Sequence, residues 1–213
     1  MLKLLDLYCG AGGATFGYQQ AGFHVTGVDI NEQPHYRGNA FHRDDACEFL
    51  LKNYKDFDCI HASPPCQHYS NSAIQFRKMG KVYPNLIKKT REALITTGKP
   101  YIIENVPHSP LINPVTLCGS MFGMRTYRHR LFESNINLVT PNHPVHQNPN
   151  APMGRKPKDY EYIQYVGHFS GVPIVKEMTG LTWLNQNELA QSIPPQYTLY
   201  LGIQLKLYIE YSI

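Results

Sequence analysis

The sequence lacks the cysteine pattern of a disulfide-stabilised protein. Its 213 residues include five cysteines, an odd number, and no Cys-x-x-Cys pair. A disulfide framework uses cysteines in pairs, so this arrangement argues against one. We therefore expect reduced thiols and a cytosolic type of compartment, the cytoplasm.

Long apolar runs and targeting segments are missing as well. No apolar run reaches the length that a bilayer-spanning helix requires. Asp6 interrupts the apolar start of the chain, and no cleavage site follows, so we expect no signal peptide. These absences predict a protein without a membrane partner.

Strong charge and repetition are absent too. The formal net charge of +4 permits a polyanionic partner but does not demand one. We find no internal repeat and no low-complexity tract. With 42% hydrophobic and 17% charged residues, the composition is that of a globular protein. The length suits one domain with a sizeable core, or one domain and a small lobe.

What the sequence does contain begins with a strand, a glycine turn and a helix. The apolar run over residues 2–8 predicts a central parallel strand, and Gly10, Gly12 and Gly13 follow it. Glycines permit a tight turn and close approach of a ligand, and the helix opening near Gly13 offers unpaired N–H groups. The next predicted strand ends on Asp29, about twenty residues past the first glycine, where βαβ units carry a ribose-binding acid.

A single thiol follows a later predicted strand, over residues 57–61. Pro64 and Pro65 stop that strand and stiffen the turn that presents Cys66. Open α/β sheets bind ligands at the carboxyl ends of their strands, which is where this thiol lies. Taken alone, however, a buried and inert cysteine after a proline turn is the commoner case.

Charged side chains come to the ends of two further strands. Glu104 lies at the carboxyl end of a predicted strand, where a carboxylate is rare unless something pairs with it. Arg128 and Arg130 share one face of another strand because alternate residues do so, although a surface basic run is the simpler interpretation. A thiol, an acid and paired guanidinium groups together suit covalent attack on an electron-poor, polar ring.

Other segments have simpler interpretations. One of Asp44 and Asp45 caps the helix that begins near Cys47, which leaves the other free to reach an adenine amino group. Residues 70–80 are small, polar or basic without periodicity, which predicts a mobile loop. The charged side of the next helix is interpreted as a solvated face and comprises Lys88, Lys89, Arg91 and Glu92.

From residue 135 to about 173 the composition changes. Pro, Asn, His, Gly and Tyr accumulate and apolar periodicity disappears, which predicts a small irregular lobe. His143 and His146 lie there, but two histidines without further ligands are usually polar loop residues, so we expect no metal. The lobe also carries a basic tip comprising Arg155, Lys156 and Lys158.

After the lobe, a helix is predicted to begin at Pro195. The first strand starts at Leu2, so no N-terminal helix can cover it, and this last helix should return to do so. Its apolar stripe comprises Tyr197, Leu201, Leu205 and Tyr208. The predicted fold class is α/β, a doubly wound and mostly parallel sheet with a small irregular lobe.

Five segments together resemble the motifs of the cytosine-5 DNA methyltransferase family. In chain order they are Asp6-Leu7-Tyr8-Cys9-Gly10-Ala11-Gly12-Gly13, Pro64-Pro65-Cys66-Gln67, Glu104-Asn105-Val106, Arg128-His129-Arg130 and Leu189-Ala190-Gln191-Ser192-Ile193-Pro194-Pro195. Their order and spacing agree over nearly the whole chain outside the lobe. Three features depart from the family's pattern: Thr126 replaces a glutamine, Gln191 replaces an asparagine, and the target-recognition region is minimal.

The resemblance implies the Rossmann-like fold of S-adenosylmethionine-dependent methyltransferases and S-adenosylmethionine as methyl donor. Within it, Asp29 would bind the ribose hydroxyls, Ile30 would pack on the adenine and Asp45 would hold the adenine amino group. The full set of cofactor-binding residues implied in this way is Tyr8, Gly10, Gly12, Asp29, Ile30, Asp45, Ala46, Pro65 and Ser192.

The implied substrate is a cytosine flipped out of double-stranded DNA. The Cys66 thiolate would attack C6, helped by an arginine that lowers the pKa of the thiol. Glu104 would hydrogen-bond N3 and the exocyclic amine, and Arg130 would contact the ring oxygen, with Arg128 completing the catalytic set. The division implied is a catalytic and cofactor-binding domain over 1–134, a target-recognition lobe over 135–175, and returning C-terminal helices over 176–213.

Other functions stay open at this point. A branch of the same family methylates RNA cytosine, and a catalytically impaired DNA- or cofactor-binding relative is a second alternative. The presence of Cys66, Glu104 and Arg130 argues against the impaired relative. A nicotinamide dehydrogenase would explain the glycine turn and Asp29 but nothing else. The resemblance favours a DNA methyltransferase of the restriction-modification type, whose recognition sequence and oligomeric state the sequence does not give.

Overall fold

The structure is a computed structural model that describes residues 1–70 and 74–211. Its strands are β1 (Lys3–Leu7), β2 (His24–Asp29), β3 (Ala40–Arg43), β4 (Cys59–Ala62), β5 (Tyr101–Asn105), β6 (Val115–Leu117) and β7 (Arg130–Ser134). Its α-helices are α1 (Gly13–Gln20), α2 (Ala46–Asn53), α3 (Ile74–Lys78), α4 (Ile87–Thr97), α5 (Val172–Thr179), α6 (Gln186–Gln191) and α7 (Pro195–Tyr211). Short 3₁₀ helices span Tyr54–Asp56 and Gly119–Phe122.

All seven strands form one sheet in the order β3-β2-β1-β4-β5-β7-β6. The first five strands in that order pair in parallel, and β7 runs antiparallel between β5 and β6. The carboxyl ends of β1, β2, β4 and β5 therefore lie along one edge, with the order reversing beside β1 and β4. Open sheets bind ligands at such an edge. The predicted doubly wound, mostly parallel sheet is confirmed.

The sheet is buried on both faces because alternate residues of its central strands point to opposite sides. In β1, Leu4 joins the core beneath α1 and α7, whereas Leu5 and Leu7 join the core beneath α2 and α4. A helix layer on each face is what the crossover connections of a parallel sheet produce. The chemistry is thereby confined to the strand ends.

Helix α7 packs on the face of the sheet to which Leu4 of β1 points, so it covers the first strand as predicted. Its side chains Tyr197, Leu201 and Leu205 are fully buried in the core. Tyr208, the last member of the predicted apolar stripe, is 43% exposed. Gly17 permits the close approach of α7 to α1, since a Cβ there would meet the carbonyl oxygen of Pro195 at 2.2 Å.

Two other expectations need correction. The loop predicted over 70–80 contains helix α3, although residues 71–73 of that loop lie outside the described residues. Arg91, predicted on a solvated face, is instead paired with buried Glu133 of β7. Strands β6 and β7 pair antiparallel at the edge of the sheet.

Residues after β7 form an irregular segment with a small core of its own. That core comprises the buried side chains of Ile163, Tyr165, Phe169, Val175, Leu181, Leu184 and Leu189. The predicted lobe boundary at residue 175 thus falls inside α5. Over residues 1–70 and 74–211, no helix has both the length and the apolar character needed to cross a membrane.

Candidate active site

The turn that presents Cys66 follows β4 and is anchored on several sides. The backbone N–H groups of Tyr69 and Ser70 donate to the Cys66 carbonyl oxygen over 2.9 and 2.8 Å. The side-chain amide of buried Asn105 donates to the Pro64 carbonyl over 2.8 Å, which ties the turn to the end of β5. Cys66 is also the one cysteine of the five that is not fully buried, and all five are free. The fold therefore holds this thiol rigidly at the open edge of the sheet.

Glu104, on neighbouring β5, lies in the same place and is buried. The Nε of Arg130, at the start of β7, lies 3.0 Å from the Glu104 carboxylate, and the Ser63 hydroxyl also donates to it. Burial raises the pKa of Glu104 above its ordinary value, although Arg130 and Ser63 oppose the rise. The raised pKa makes the protonated carboxyl easier to form than it is for an exposed glutamate, which suits a general acid.

The acid's environment continues into the core through a chain of hydrogen bonds. The Ser63 hydroxyl lies 2.8 Å from Nε2 of His61, whose Nδ1 lies 2.9 Å from the Tyr18 hydroxyl on α1. Burial lowers the pKa of His61 to about 3, so the ring is neutral. It links the Ser63 hydroxyl to the Tyr18 hydroxyl and so helps to orient Ser63. The sequence predicts no role for Ser63, His61 or Asn105, because each has a partner on another element.

The thiol itself differs from expectation. Burial of Cys66, and then the negative charge of Glu104, raise the pKa of the thiol above its ordinary value. Arg130 and Arg128 lower the pKa of the thiol, as predicted, but more weakly, so the net shift in the free protein is upward. The order of these effects means that protonating Glu104 removes one of the two obstacles to forming the thiolate.

Arg128 contacts other groups than Arg130 does. It lies just before β7, and it donates to the carbonyl oxygens of Tyr165, Ala190 and Ser192 over 2.7–2.8 Å. Its guanidinium also lies 4.1 Å from the centre of the Tyr165 ring. Burial and the charge of Arg130 lower the pKa of Arg128 to about 10. The two arginines therefore serve different contacts, and Arg128 joins the irregular segment to the last motif.

The glycine turn after β1 leaves space for a ligand. Gly10 has φ 50°, and a Cβ placed there would meet no described atom within 4 Å. The Gly10 N–H donates to Asp29 Oδ2 over 3.0 Å, and the Asn31 N–H donates to Oδ1 over 2.9 Å. A carboxylate accepts about four hydrogen bonds, so Asp29 retains capacity for two hydroxyls. Tyr8, at φ 59°, packs beside this turn and hydrogen-bonds Thr90 over 2.8 Å.

The neighbouring residues also fit an adenine nucleoside. Ile30, directly after β2, leaves 62% of its surface exposed, which suits a side chain on which a flat ring packs. Asp45, not Asp44, caps α2, and its Oδ1 accepts the N–H groups of Cys47 and Glu48. The N–H of Ala46, in the first turn, is one that a helix leaves unpaired. Pro65 is half-buried beside Cys66 on the adjacent turn.

The last motif lies against the glycine turn. A Cβ on Gly13 would stand 2.8 Å from the Cβ of Ser192 and 2.9 Å from the Ile193 carbonyl oxygen, so only glycine permits this contact. The Ser192 hydroxyl donates to Leu189 over 2.8 Å, which ends α6. Thr126, which stands where the family pattern has glutamine, is buried with no partner for its hydroxyl among the described residues.

A second cluster was missed by sequence reasoning. Cys118 and His129 join His143 and His146, and one potential ligand atom from each lies within 4.8 Å of the others. Only the last two were considered as metal ligands from the sequence. The pattern gave no signal because the four residues come from three separate segments.

Comparisons with known proteins identify the family of the chain. A sequence model of the family described as C-5 cytosine-specific DNA methylase matches residues 2–108, half of the chain. The chain is 28% identical to the type II methyltransferase M.HgiDI of Herpetosiphon aurantiacus over 138 residues, which is 59% of this chain and 44% of that protein. It is 30% identical to M.HgiGI of the same organism over 91 residues, which is 38% of this chain and 71% of that protein. The chain thus spans less than half the length of the first relative.

A solved structure agrees over nearly the whole fold. The methyltransferase EhMeth of Entamoeba histolytica superposes with a TM-score of 0.59 at 16% identity, covering 98% of both chains. At that identity the likeness concerns the fold alone.

Proposed function

Because the chain belongs to the C-5 cytosine-specific DNA methylase family, we propose that it transfers a methyl group from S-adenosylmethionine to C5 of cytosine in DNA. The observation that carries the proposal is the convergence of three groups at one sheet edge. They are the anchored thiol of Cys66 after β4, the buried carboxyl of Glu104 on β5, and the guanidinium of Arg130 at the start of β7. This set suits nucleophilic catalysis on a ring that must first be made electron-poor.

The cofactor site proposed is the cleft beside β1 and β2. S-adenosylmethionine, when bound, supplies an electrophilic methyl group. Asp29 would accept from the ribose hydroxyls, and Ile30 would pack on the adenine. Asp45 caps α2 through Oδ1 alone, so its second oxygen, Oδ2, and the Ala46 N–H are suited to the adenine edge. The remaining residues proposed to line the cleft are Tyr8, Gly10, Gly12, Pro65 and Ser192.

The proposed chemistry follows from the order of the electrostatic effects. Glu104, whose pKa is raised, donates a hydrogen bond to N3 of the cytosine, which draws electron density from C6. With Glu104 neutral or sharing its proton, the thiol of Cys66 loses one source of its raised pKa and ionises more readily. The thiolate forms a bond to C6, C5 gains nucleophilic character and takes the methyl group, a base removes the C5 proton, and the thiolate leaves.

Arg130 has a supporting part in this proposal. Its ion pair holds the Glu104 carboxyl in place, and its charge favours the thiolate. It is also positioned to contact the oxygen of the ring. The target base would have to leave the duplex, because C6 of a stacked cytosine is not open to attack by a side chain.

The experiment that tests the proposal uses 5-fluorocytosine. DNA is first taken from cells that express the protein; one portion is digested to nucleosides to detect 5-methylcytosine, and another is sequenced to locate the modified position. A duplex with 5-fluorocytosine at that position should then trap the protein in the presence of S-adenosylmethionine, because fluorine cannot leave as a cation and the thioether persists. Cys66→Ser should abolish both trapping and turnover, since a serine hydroxyl is scarcely ionised near neutral pH. Glu104→Gln should slow methyl transfer at least 100-fold, within the range of general acid catalysis.

The control is Cys59→Ala, which removes a buried thiol of β4 outside the site. It should still form the adduct at temperatures at which it is folded. A Cys66→Ser protein that still methylates C5 would refute the mechanism, as would methylation of the exocyclic amine, which needs no covalent intermediate. An equivalent RNA is tested in parallel, and trapping on RNA alone would replace the DNA assignment.

A further prediction concerns the cofactor. Asp29→Ala should weaken S-adenosylmethionine binding by about 1–3 kcal/mol, because the ribose loses a charged acceptor. Isothermal calorimetry measures the change. The matched control is Glu32→Ala, which removes an exposed carboxylate from the same loop. Equal affinities for the two variants would remove Asp29 from the site.

A further inference from the structure

One thiol and three imidazoles meet outside the site described above. Cys118 directly follows β6, and His129 directly precedes β7. His143 and His146 lie in the irregular segment after β7. The Cys118 Sγ lies 3.4 Å from His146 Nε2, and the Nε2 atoms of His129 and His143 are 3.1 Å apart. One ligand atom from each of the four residues lies within 4.8 Å of all the others.

Two of these separations are close to those of a tetrahedral metal site. A zinc ion holds imidazole nitrogen at about 2.0–2.1 Å and thiolate sulfur at about 2.3 Å. The edges of such a tetrahedron are therefore about 3.3–3.4 Å between nitrogens and about 3.6 Å between sulfur and nitrogen. The two short distances in the cluster are about 0.2–0.3 Å below those edges, so these two pairs need only small side-chain movements to hold an ion.

The ligand chemistry identifies the class of ion. Thiolate and imidazole are the donors that zinc takes in proteins, whereas magnesium and calcium take oxygen ligands. We propose that Cys118, His129, His143 and His146 bind one Zn²⁺ ion. With four protein ligands the coordination is closed, which marks a structural site and not a catalytic one.

The surroundings hold the ligands in this arrangement. The His146 ring stacks on Tyr127 with a centroid separation of 3.6 Å, and Tyr127 in turn stacks on Tyr162 at 4.5 Å. The Tyr127 hydroxyl donates a hydrogen bond to the carbonyl oxygen of Asn148, two residues beyond His146, and accepts one from the Asn148 N–H. Cys118 is buried, while His143 and His146 are exposed, so an ion can enter from solvent.

The ion would fix the geometry of the arginine motif. His129 lies between Arg128 and Arg130, so a metal bound to it clamps the entry to β7 against the segment that carries His143 and His146. Arg130 is the partner of Glu104. All four proposed ligands also lie beyond residue 108, outside the part of the chain that the family model matches. The proposal does not depend on the methyl-transfer assignment.

Metal content tests the proposal directly. The full chain is purified without chelator, dialysed against buffered zinc, and analysed by mass spectrometry for bound metal. We expect about one zinc per chain, lost in the double variant His143→Ala/His146→Ala and kept in His168→Ala, which removes an exposed histidine of the same segment outside the cluster. A wild-type chain with no more zinc than the double variant would overturn the proposal, and the 3.1 Å contact would then be an ordinary hydrogen bond between neutral rings.

Two further measurements test the ligand set. Cobalt(II) in place of zinc should give intense visible bands and a thiolate charge-transfer band, and Cys118→Ser should abolish the latter. An unchanged spectrum in Cys118→Ser would remove the cysteine from the site. A chelator should lower the melting temperature of the wild-type protein by several degrees but leave that of the double variant unchanged, because an ion stabilises only the chain that binds it. Equal shifts in both would contradict a structural role.

Discussion

At the scale of single residues, the sheet buries a carboxyl group inside its first strand. Asp6, inside β1, is fully buried. One carboxylate oxygen accepts from Thr15 over 2.5 Å, and the other has no hydrogen-bond partner among the described residues. Burial, which outweighs the Thr15 hydrogen bond, raises the pKa of Asp6 to about 7. The glycine motif thus contains a carboxyl group that titrates near neutral pH.

This titration predicts a specific pH dependence. The ordinary pKa of the group is 3.8, so between pH 4 and 7 the folded chain binds more protons than the unfolded chain. Stability should therefore fall as pH rises through that window, by about 2–4 kcal/mol from this group. Asp6→Asn keeps an acceptor for Thr15 but removes the charge. Its free energy of unfolding relative to wild type should improve between pH 4.5 and pH 8.

Urea unfolding at the two pH values measures the difference. Asp159→Asn, which changes an exposed carboxylate in the irregular segment, serves as the control and should follow the wild-type profile. Parallel profiles for Asp6→Asn and wild type would contradict a neutral-range titration of Asp6.

At the scale of elements, one buried ion pair joins α4 to β7. The Arg91 Nε and Nη2 atoms donate to the two oxygens of Glu133 over 2.6 and 2.7 Å. The side chains are 14% and 4% exposed, and the Ile112 N–H also donates to Glu133. The pair holds β7, whose first residue is Arg130, against the helix layer.

Breaking this pair should be costly. Arg91→Ala should lower the free energy of unfolding by about 3–5 kcal/mol, because it leaves the Glu133 carboxylate buried without its partner. Lys89→Ala, on the exposed side of the same helix, should change stability by less than about 0.5 kcal/mol. Chemical denaturation of both variants measures the contrast. Similar small losses for the two would show that the ion pair contributes little.

At the scale of the whole molecule, the question is which surface would meet the DNA proposed as substrate. The three residues of the basic tip predicted from the sequence differ in their contacts, because Arg155 is paired with an acid and the two lysines have exposed side chains. The Arg155 guanidinium forms a two-point ion pair with buried Glu161, whose Oε2 also accepts from the Lys158 N–H, so its charge is already matched. Lys156 and Lys158 keep exposed side chains. We therefore expect phosphate contacts from the two lysines and a structural contribution from Arg155.

Salt dependence tests that expectation. The double variant Lys156→Ala/Lys158→Ala should reduce the slope of log affinity for duplex DNA against log salt concentration by about 1.8, since each phosphate contact contributes about 0.9. Lys52→Ala/Lys55→Ala removes the same charge from the region of α2 and should leave the slope close to that of wild type. Equal slopes for the two variants would mean that the tip does not contact phosphate.

The sequence by itself determined the first strand–helix–strand unit, its glycine turn and the Pro64-Pro65 turn, because these depend on residues close together in the chain. It did not predict strand β3 or the order of the strands in the sheet. Parallel strands separated by helices bring their carboxyl ends to one edge, so Cys66 and Glu104 could be expected there without coordinates. The same reasoning predicted that α7 returns to cover the sheet, since the face beginning at Leu2 needed a cover. The choice between Asp44 and Asp45 as helix cap could not be made, because both are capable of it.

Only the tertiary structure decided what depends on contacts between distant segments. It gave Arg91 a buried partner, separated the contacts of Arg128 from those of Arg130, and made burial outweigh the arginines in setting the pKa of Cys66. It also brought Cys118 and His129 to two loop histidines that had no further ligands in the sequence pattern. Such groups carry no local signal, because their distances and the local dielectric are set by how the chain folds back on itself.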